Sequence, residues 1–250
     1  GLADLAPDVE WVPTGGLVEA QRATKDAGEI ARIRAAATIV DEALAEVRPM
    51  ILTGISERLF AAELDAEMRR RGASDRSFET IVASGPNAAL PHARPGDRTI
   101  AEGDLVVIDC GAIFDGYCSD MTRTVAVGDV AAELTEVLDV VIEAHDAGVE
   151  AVAAGVPAAD VDAAARAVVE EAGWGDRFVH GTGHGVGIDI HEAPRVAATS
   201  GDTLAAGHVI TVEPGVYLPG VGGARFEDAL VVTIGGSEPL TRSPQDNAAR

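Results

Sequence analysis

Apolar positions recur at helical spacing from Thr24 onward. Ile30, Ile33, Ala37, Val40 and Leu44 follow Asp26 and Glu29 and stop before Pro49, which predicts an amphipathic helix with an acidic start. A second helix is predicted from about Ser56 to Arg71, ending at Gly72, with Leu59, Phe60, Leu64 and Met68 on its inner face. Phe78 to Ala83 reads as a strand, followed by a Gly-Pro-Asn loop that delivers His92. Helices are predicted again at about 131–154 and 158–172, separated by Gly155 and Pro157. After each helix pair the pattern changes to apolar, β-branched runs. VVIDCGAIFDGYCSDMTRT closes around Asp115-Gly116, and VITVEPGVYLPGVGGARFED around Pro219-Gly220-Val221-Gly222-Gly223. Both read as β-hairpins. A short strand is expected near 238–241, and HGTGHGVGIDIHEAP (180–194) is too glycine-rich for a regular helix. Helix, helix, sheet therefore occurs twice, which predicts an α+β domain with one duplicated unit. Residues 1–22 show no period and are expected to be a linker or the remnant of an absent N-terminal domain, with the folded domain spanning 23–250.

The duplication carries acids with it. AEGDLVVIDCG (101–111) and AAGHVITVEPG (205–215) share Ala-x-Gly, an apolar run, an acid and then x-Gly at one constant offset. A repeated half-unit suggests a pseudo-two-fold with a site at the junction. If each hairpin folds about the middle of its turn, Asp109 lands roughly opposite Asp120, and Glu213 roughly opposite Glu227. Cross-strand Cβ atoms are only about 5 Å apart, so two facing pairs of like charge need something strongly positive between them. Hard carboxylate oxygens suit a divalent metal.

Composition changes this picture little. The formal charge of −22 argues against a nucleic-acid partner. Lys25 is the sole lysine; genome composition and a salt-adapted acidic surface both account for that bias. There is no apolar stretch of about 18 residues, so nothing is expected to span a membrane, and no signal peptide is recognised. Cys110 and Cys118 are too few for a disulfide framework and are expected to be buried free thiols, which fits a cytoplasmic location.

Four of the six histidines fall in loops or beside glycines: His92, His180, His184 and His191. Glycines allow close backbone approach, and imidazole among carboxylates is a frequent ligand for Mn, Co or Zn. His145 and His208 read as structural. Arg225 lies two residues before Glu227 and so on the same strand face; it either balances the acids or grips a substrate carboxylate.

These residues resemble the pita-bread metallopeptidases, in the Xaa-Pro aminopeptidase and prolidase branch. The resemblance runs from about Leu17 to Thr241 and rests on PNAALPHA (86–93), the VIDCGAIFDGYCSDMTRT block, HGTGHGVGIDIHEAP, TVEPG (211–215) and GARFED (223–228). It implies a pita-bread fold with a curved antiparallel sheet and a dinuclear centre, most often manganese, with Co, Zn or Fe also accepted. Asp109, Asp120, His184, Glu213 and Glu227 match the five ligand positions. Asp120 and Glu227 would bridge the ions, Asp109 would hold one, and His184 with Glu213 the other. His92, His180 and His191 match histidines that handle substrate and protons, and Arg225 an arginine that supports the ligands. The implied reaction hydrolyses the bond between an N-terminal residue and proline, with Glu213 as proton acceptor, His191 at the oxyanion, and His92 and His180 on the proline side. Proline matters because its nitrogen carries no hydrogen and its ring fixes φ. The peptide partner has proline second, and a homodimer is left open. An Xaa-Pro aminopeptidase is the first reading and an Xaa-Pro dipeptidase the alternative. A methionine aminopeptidase, an inactive peptide-binding module and a metal-independent C–N hydrolase on the same fold fit the motifs less well.

Overall fold

The computed structural model describes residues 1–244. Two short helices, α1 (Leu2–Leu5) and α2 (Leu17–Ala23), lie in the segment expected to lack regular structure. No apolar period announces α2 because it is not held by an apolar stripe. Leu17 and Val18 face solvent, while Arg22 at its end pairs with Asp189 and Glu192 far along the chain. Helix α3 (Ala27–Val47) begins as predicted. The Asp26 side chain accepts the Glu29 N–H and Glu29 reaches back to the Asp26 N–H, a capping box of a kind that contributes about 1 kcal/mol. Helix α4 (Glu57–Arg70) is capped by Ser56 and ends before Gly72, whose φ of +105° an L side chain rarely adopts. Phe60, Leu64 and Met68 form its buried stripe, but Leu59 is 51% exposed and faces out, contrary to the expectation; it sits about 100° round the helix from the next residue, Phe60.

The chain then forms β1 (Asp75–Arg76), β2 (Ile81–Ser84), β3 (Leu105–Cys110), β4 (Ala112–Phe114), β5 (Tyr117–Cys118) and β6 (Met121–Ala126). Helices α5 (Ala132–Ala151) and α6 (Ala158–Glu171) open the second half. Strands β7 (Gly183–Gly185), β8 (Glu192–Val196), β9 (Val209–Val212), β10 (Gly215–Leu218), β11 (Gly222–Arg225), β12 (Asp228–Thr233) and β13 (Gly236–Pro239) complete it. Strand β2 thus starts three residues later than predicted. All pairings are antiparallel: β2-β3-β6 and β1-β4-β5 in the first half, β13-β12-β9-β7-β8 and β10-β11 in the second. No helix among the described residues is long and apolar enough to cross a membrane.

Period-two alternation positions the site. On β3, Val106, Ile108 and Cys110 point to one side and pack with Val40, Leu44, Phe60 and Leu64 of α3 and α4. Asp109 points to the other side. On β9, Ile210 and Val212 pack with Val161 of α6 and Leu230 of β12, which leaves Thr211 and, next in line, Glu213 for the opposite face. Each half therefore turns its helices outward and its acids toward the junction. The duplication extends to single bonds. Gly103 and Gly207 have φ of +87° and +89°. Their amides donate to Val127 O and Val232 O, while Val127 N and Val232 N donate back to Asp104 O and His208 O. Cys110 and Cys118 are buried free thiols, as expected.

Candidate metal centre and substrate cavity

Both hairpins are split where their acids lie. In the first, the ladder β3–β6 gives way to the tip ladder β4–β5; in the second, β9–β12 gives way to β10–β11. The register is unbroken across each split, and it corrects one expectation. Asp109 pairs with Thr122, so Asp120 is its diagonal rather than its direct neighbour. Val212 pairs with Asp228 and Gly215 with Arg225, which does place Glu213 opposite Glu227. Asp109 and Glu213 are thus equivalent in the two halves, but Asp120 and Glu227 are not. The equivalent of Glu227 is Thr122, and the equivalent of Asp120 is Arg225. These unlike equivalents meet across the junction: Thr122 and Glu227 form a bridge, with Thr122 Oγ1 donating to Glu227 Oε2 at 2.6 Å.

All nine residues singled out from the sequence line one cavity of about 730 Å³: His92, Asp109, Asp120, His180, His184, His191, Glu213, Arg225 and Glu227. Ligand atoms of Asp120, His184 and Glu227 lie within 4.8 Å of one another. His184 Nδ1 lies 3.0 Å from Gly185 O, so that nitrogen carries the proton and Nε2 turns its lone pair inward. Nε2 sits 3.3 Å from Glu213 Oε1 and 3.5 Å from Asp120 Oδ2. A lone pair aimed at two carboxylates is repulsive unless a proton or cation lies between them.

The electrostatics point the same way. Burial pushes the Asp120 and Glu227 carboxyls well above the usual range, and their acidic neighbours push them further. Burial also raises Asp109, against the opposing Arg225 guanidinium. Burial alone would raise Glu213 too, but without a cation the proton between them sits on His184 Nε2, and the hydrogen bond and charge of that imidazolium outweigh burial and bring this carboxyl down to about 2. Asp109 Oδ1 is buried without any hydrogen-bond partner. An orphaned buried oxygen, a lone pair held inward by a carbonyl and four clustered acids are the donor set of a hard divalent cation. The residues fit a metal.

Arg225 is 4% exposed. Its Nη2 donates to Asp109 Oδ2 at 2.5 Å, Nη1 to Tyr217 OH and Pro91 O, and Nε to Thr122 Oγ1. These four bonds are internal, which fits the balancing role better than the gripping one. Because the guanidinium donates to Tyr217, the Tyr217 hydroxyl is left to donate to His180 Nε2 at 2.9 Å, and His180 Nδ1–H points to Gly181 O. Burial lowers the His180 pKa, consistent with this neutral tautomer. His191 stacks edge-on against His184 at 4.3 Å. His145 is buried beside Asp228 and Phe226, away from the cavity, in keeping with a structural role.

Several contributors escape a reading of motifs. Thr211 Oγ1 accepts the His184 N–H and donates to Glu213. Asp162 on α6, fully buried, accepts from Thr182 N and Thr182 Oγ1 and holds Arg166. Arg166 in turn donates to Phe178 O and His180 O. Its i, i+4 spacing from Asp162 is visible in sequence, but its hold on the glycine-rich segment is not. Arg195 on β8 pairs in register with His184 and lines the cavity. It lies four residues beyond His191, a spacing that marks nothing until β8 folds back along β7.

The sequence pattern of metallopeptidase family M24 matches residues 31–234. The chain belongs to this family. It is 43% identical over 239 residues to an uncharacterized peptidase, YqhT, of Bacillus subtilis, covering 96% of this chain and 68% of that one. It is 41% identical over 237 residues to an Xaa-Pro dipeptidase of Pyrococcus furiosus, covering 95% and 68%. Among solved structures, an Xaa-Pro dipeptidase from Bacillus anthracis superposes with a TM-score of 0.93 at 45% identity, covering 95% of this chain and 67% of that one. An X-Pro aminopeptidase from Thermotoga maritima also gives 0.93, at 38% identity, covering 98% and 68%. The M24 chain thus spans about two thirds of these relatives. Its pita-bread fold and its place in the prolidase-like branch agree with the expectations from sequence.

Proposed function

We propose that this M24 peptidase is a metal-dependent Xaa-Pro dipeptidase, hydrolysing the bond between an N-terminal residue and a C-terminal proline. The observation that carries the proposal is the convergence of three buried carboxylates, the half-buried Glu213 and the inward Nε2 of His184 on one cavity whose wall carries imidazoles and Arg195. The motifs alone put an aminopeptidase first. Two considerations reverse that order. The relatives in Pyrococcus furiosus and Bacillus anthracis are named as Xaa-Pro dipeptidases. A dipeptide also presents a free carboxylate one residue from the scissile bond, and the Arg195 guanidinium, across the β7–β8 ladder from His184, is a cation placed for it. The Thermotoga maritima neighbour supports the aminopeptidase as the second reading.

Asp109, Asp120, His184, Glu213 and Glu227 would hold two divalent ions, with manganese the proposed choice. When bound, such ions supply a nucleophilic water at neutral pH and polarise the scissile carbonyl. The chain does the rest. Glu213, ionised at neutral pH, takes the proton of the attacking water. His191, whose pKa burial lowers, is neutral and offers an N–H to the oxyanion. His180, locked by Tyr217 and Gly181 O, and His92 flank the proline. Proline has no N–H to satisfy, so a wall without an acceptor at that point costs the substrate nothing. A cytoplasmic setting goes with the free thiols.

The test is hydrolysis by the manganese-loaded protein of Xaa-Pro, Xaa-Pro-Yaa-Zaa and Met-Ala-Zaa, each with a chelated control. Chelator-sensitive cleavage of the dipeptide, well above the tetrapeptide, is expected. Preference for the tetrapeptide would establish the aminopeptidase, and cleavage of the Met peptide alone would overturn both readings.

A further inference from the structure

Glu57 stands outside the cavity and no motif marks it, yet it is 0% exposed. As the first residue of α4 it sits at the positive end of a helix dipole. No ion pair reaches it among the described residues, and four donor groups surround it instead. Oε1 accepts from Ser84 N at 2.8 Å, Ser84 Oγ at 2.7 Å and Asn87 Nδ2 at 3.0 Å. Oε2 accepts from Asn87 Nδ2 and from Gly96 N, both at 3.1 Å. Burying a carboxylate without a direct counter-ion is costly, so this arrangement asks what it holds.

It holds a loop by both ends. Ser84 is where the chain leaves β2, Gly96 is where it returns, and His92 lies between. Within this stretch Pro91, His92, Ala93 and Arg94 line the cavity. Among the described residues its interior is otherwise held at Pro91 O by Arg225, at Arg94 by an exposed ion pair with Glu79, and by short local turns. Arg98 reinforces the same knot, donating to Ser84 Oγ and pairing with Asp104.

We infer that Glu57 is a positioning residue for His92: the buried carboxylate fixes the mouth of the 84–96 loop and thereby the place of the imidazole on the cavity wall. The inference rests on the role proposed above for His92. Its test is a double-mutant cycle on dipeptide hydrolysis with Glu57→Gln and His92→Ala. Glutamine keeps the size but opposes an NH2 to main-chain N–H groups. Displacing a reacting group by about 1 Å costs up to about 10²-fold, so kcat should fall by about that factor in the wild-type background. In the His92→Ala background the same change should lower kcat by less than about 3-fold. Bound metal should be unchanged. Independently of activity, amides of the 84–96 segment should exchange hydrogen faster in Glu57→Gln, while those of β3 and β9 stay protected. Should Glu57→Gln not fold, Asn87→Ala removes one donor and should show a smaller loss that also vanishes beside His92→Ala. Equal losses in both backgrounds, or wild-type kcat in Glu57→Gln, would overturn the inference. If His92→Ala alone keeps full kcat, the role of His92 fails and this inference with it. If His92→Ala is impaired and the Glu57 effect is additive, only this inference fails.

Discussion

Replacing Arg225 with methionine removes the one arginine or lysine that, among the described residues, pairs with a carboxylate of the acid cluster. Methionine matches only the aliphatic stem and leaves Asp109 Oδ2, Tyr217 OH, Pro91 O and Thr122 Oγ1 without the guanidinium donors. Asp109 Oδ1 already lacks one, so the whole carboxylate becomes uncompensated. Breaking one side of a buried ion pair costs about 3–5 kcal/mol. At about 2–4 °C per kcal/mol for a chain of this size, the metal-free variant should melt roughly 6–20 °C below the wild type. With manganese present the gap should narrow, because the bound cation takes over part of the Asp109 charge. The gap should also narrow as pH falls, since a protonated Asp109 no longer needs Arg225. Supporting groups of this kind typically change metal affinity by about 10–100-fold, so a metal titration should show weaker binding by that factor. The assay is paired thermal unfolding in chelator and in manganese. A metal-free variant melting within about 2 °C of the wild type would refute the reasoning, because a buried pair of this geometry cannot be removed at so small a cost.

Arg195→Gln should raise KM for Xaa-Pro dipeptides by about 10-fold or more, since a charge-assisted hydrogen bond contributes about 1.5–3 kcal/mol, while leaving cleavage of longer peptides nearly unchanged; steady-state kinetics on both substrates check this. Metal-free protein should lose stability as pH rises from about 4 toward 8. Burial raises Asp120, Glu227 and Asp109 in the fold, and a group with a raised folded pKa favours folding below its unfolded pKa of about 4 and loses that contribution as pH climbs through the folded value. Glu213, held down at about 2, behaves oppositely but only at more acidic pH. Manganese should remove the decline; a metal-free melting temperature that rises from pH 5 to 8 would contradict it. Asp162→Asn puts an amide NH2 against the Thr182 N–H and weakens the tie to Arg166. It should destabilise by on the order of 3 kcal/mol and weaken metal binding through His184, both readable by unfolding and metal titration.

Much of the site is legible in the sequence because strand geometry is periodic. Residues two apart share a face and a hairpin pairs its arms about its turn, so Arg225 with Glu227, and Glu213 opposite Glu227, could be placed before any coordinates. The glycine-rich run with His180 and His184 showed that an unusual backbone was needed there. What was missed depends on register and on contacts distant in sequence. Asp109 meets Thr122 rather than Asp120 because the hairpin closes on Asp115-Gly116 with Phe114 paired to Tyr117, a register that the two-residue turn motif does imply and that the expectation missed by two residues. Helix α2 is secured by ion pairs to residues about 170 positions on, and Leu59 faces out because Phe60, Leu64 and Met68 already fill the stripe. Glu57 and Asp162 look like ordinary helix acids until the loops they hold are in place. Arg195 acquires meaning only when β8 lies beside β7.

The most direct test of the account is the metal content of the purified, reconstituted protein, measured together with dipeptide hydrolysis. Close to two manganese ions per chain, loss of both metal and activity in chelator, and return of both on adding manganese are predicted. Hydrolysis that persists in fully chelated protein would contradict the central claim that the clustered carboxylates and His184 act through metal.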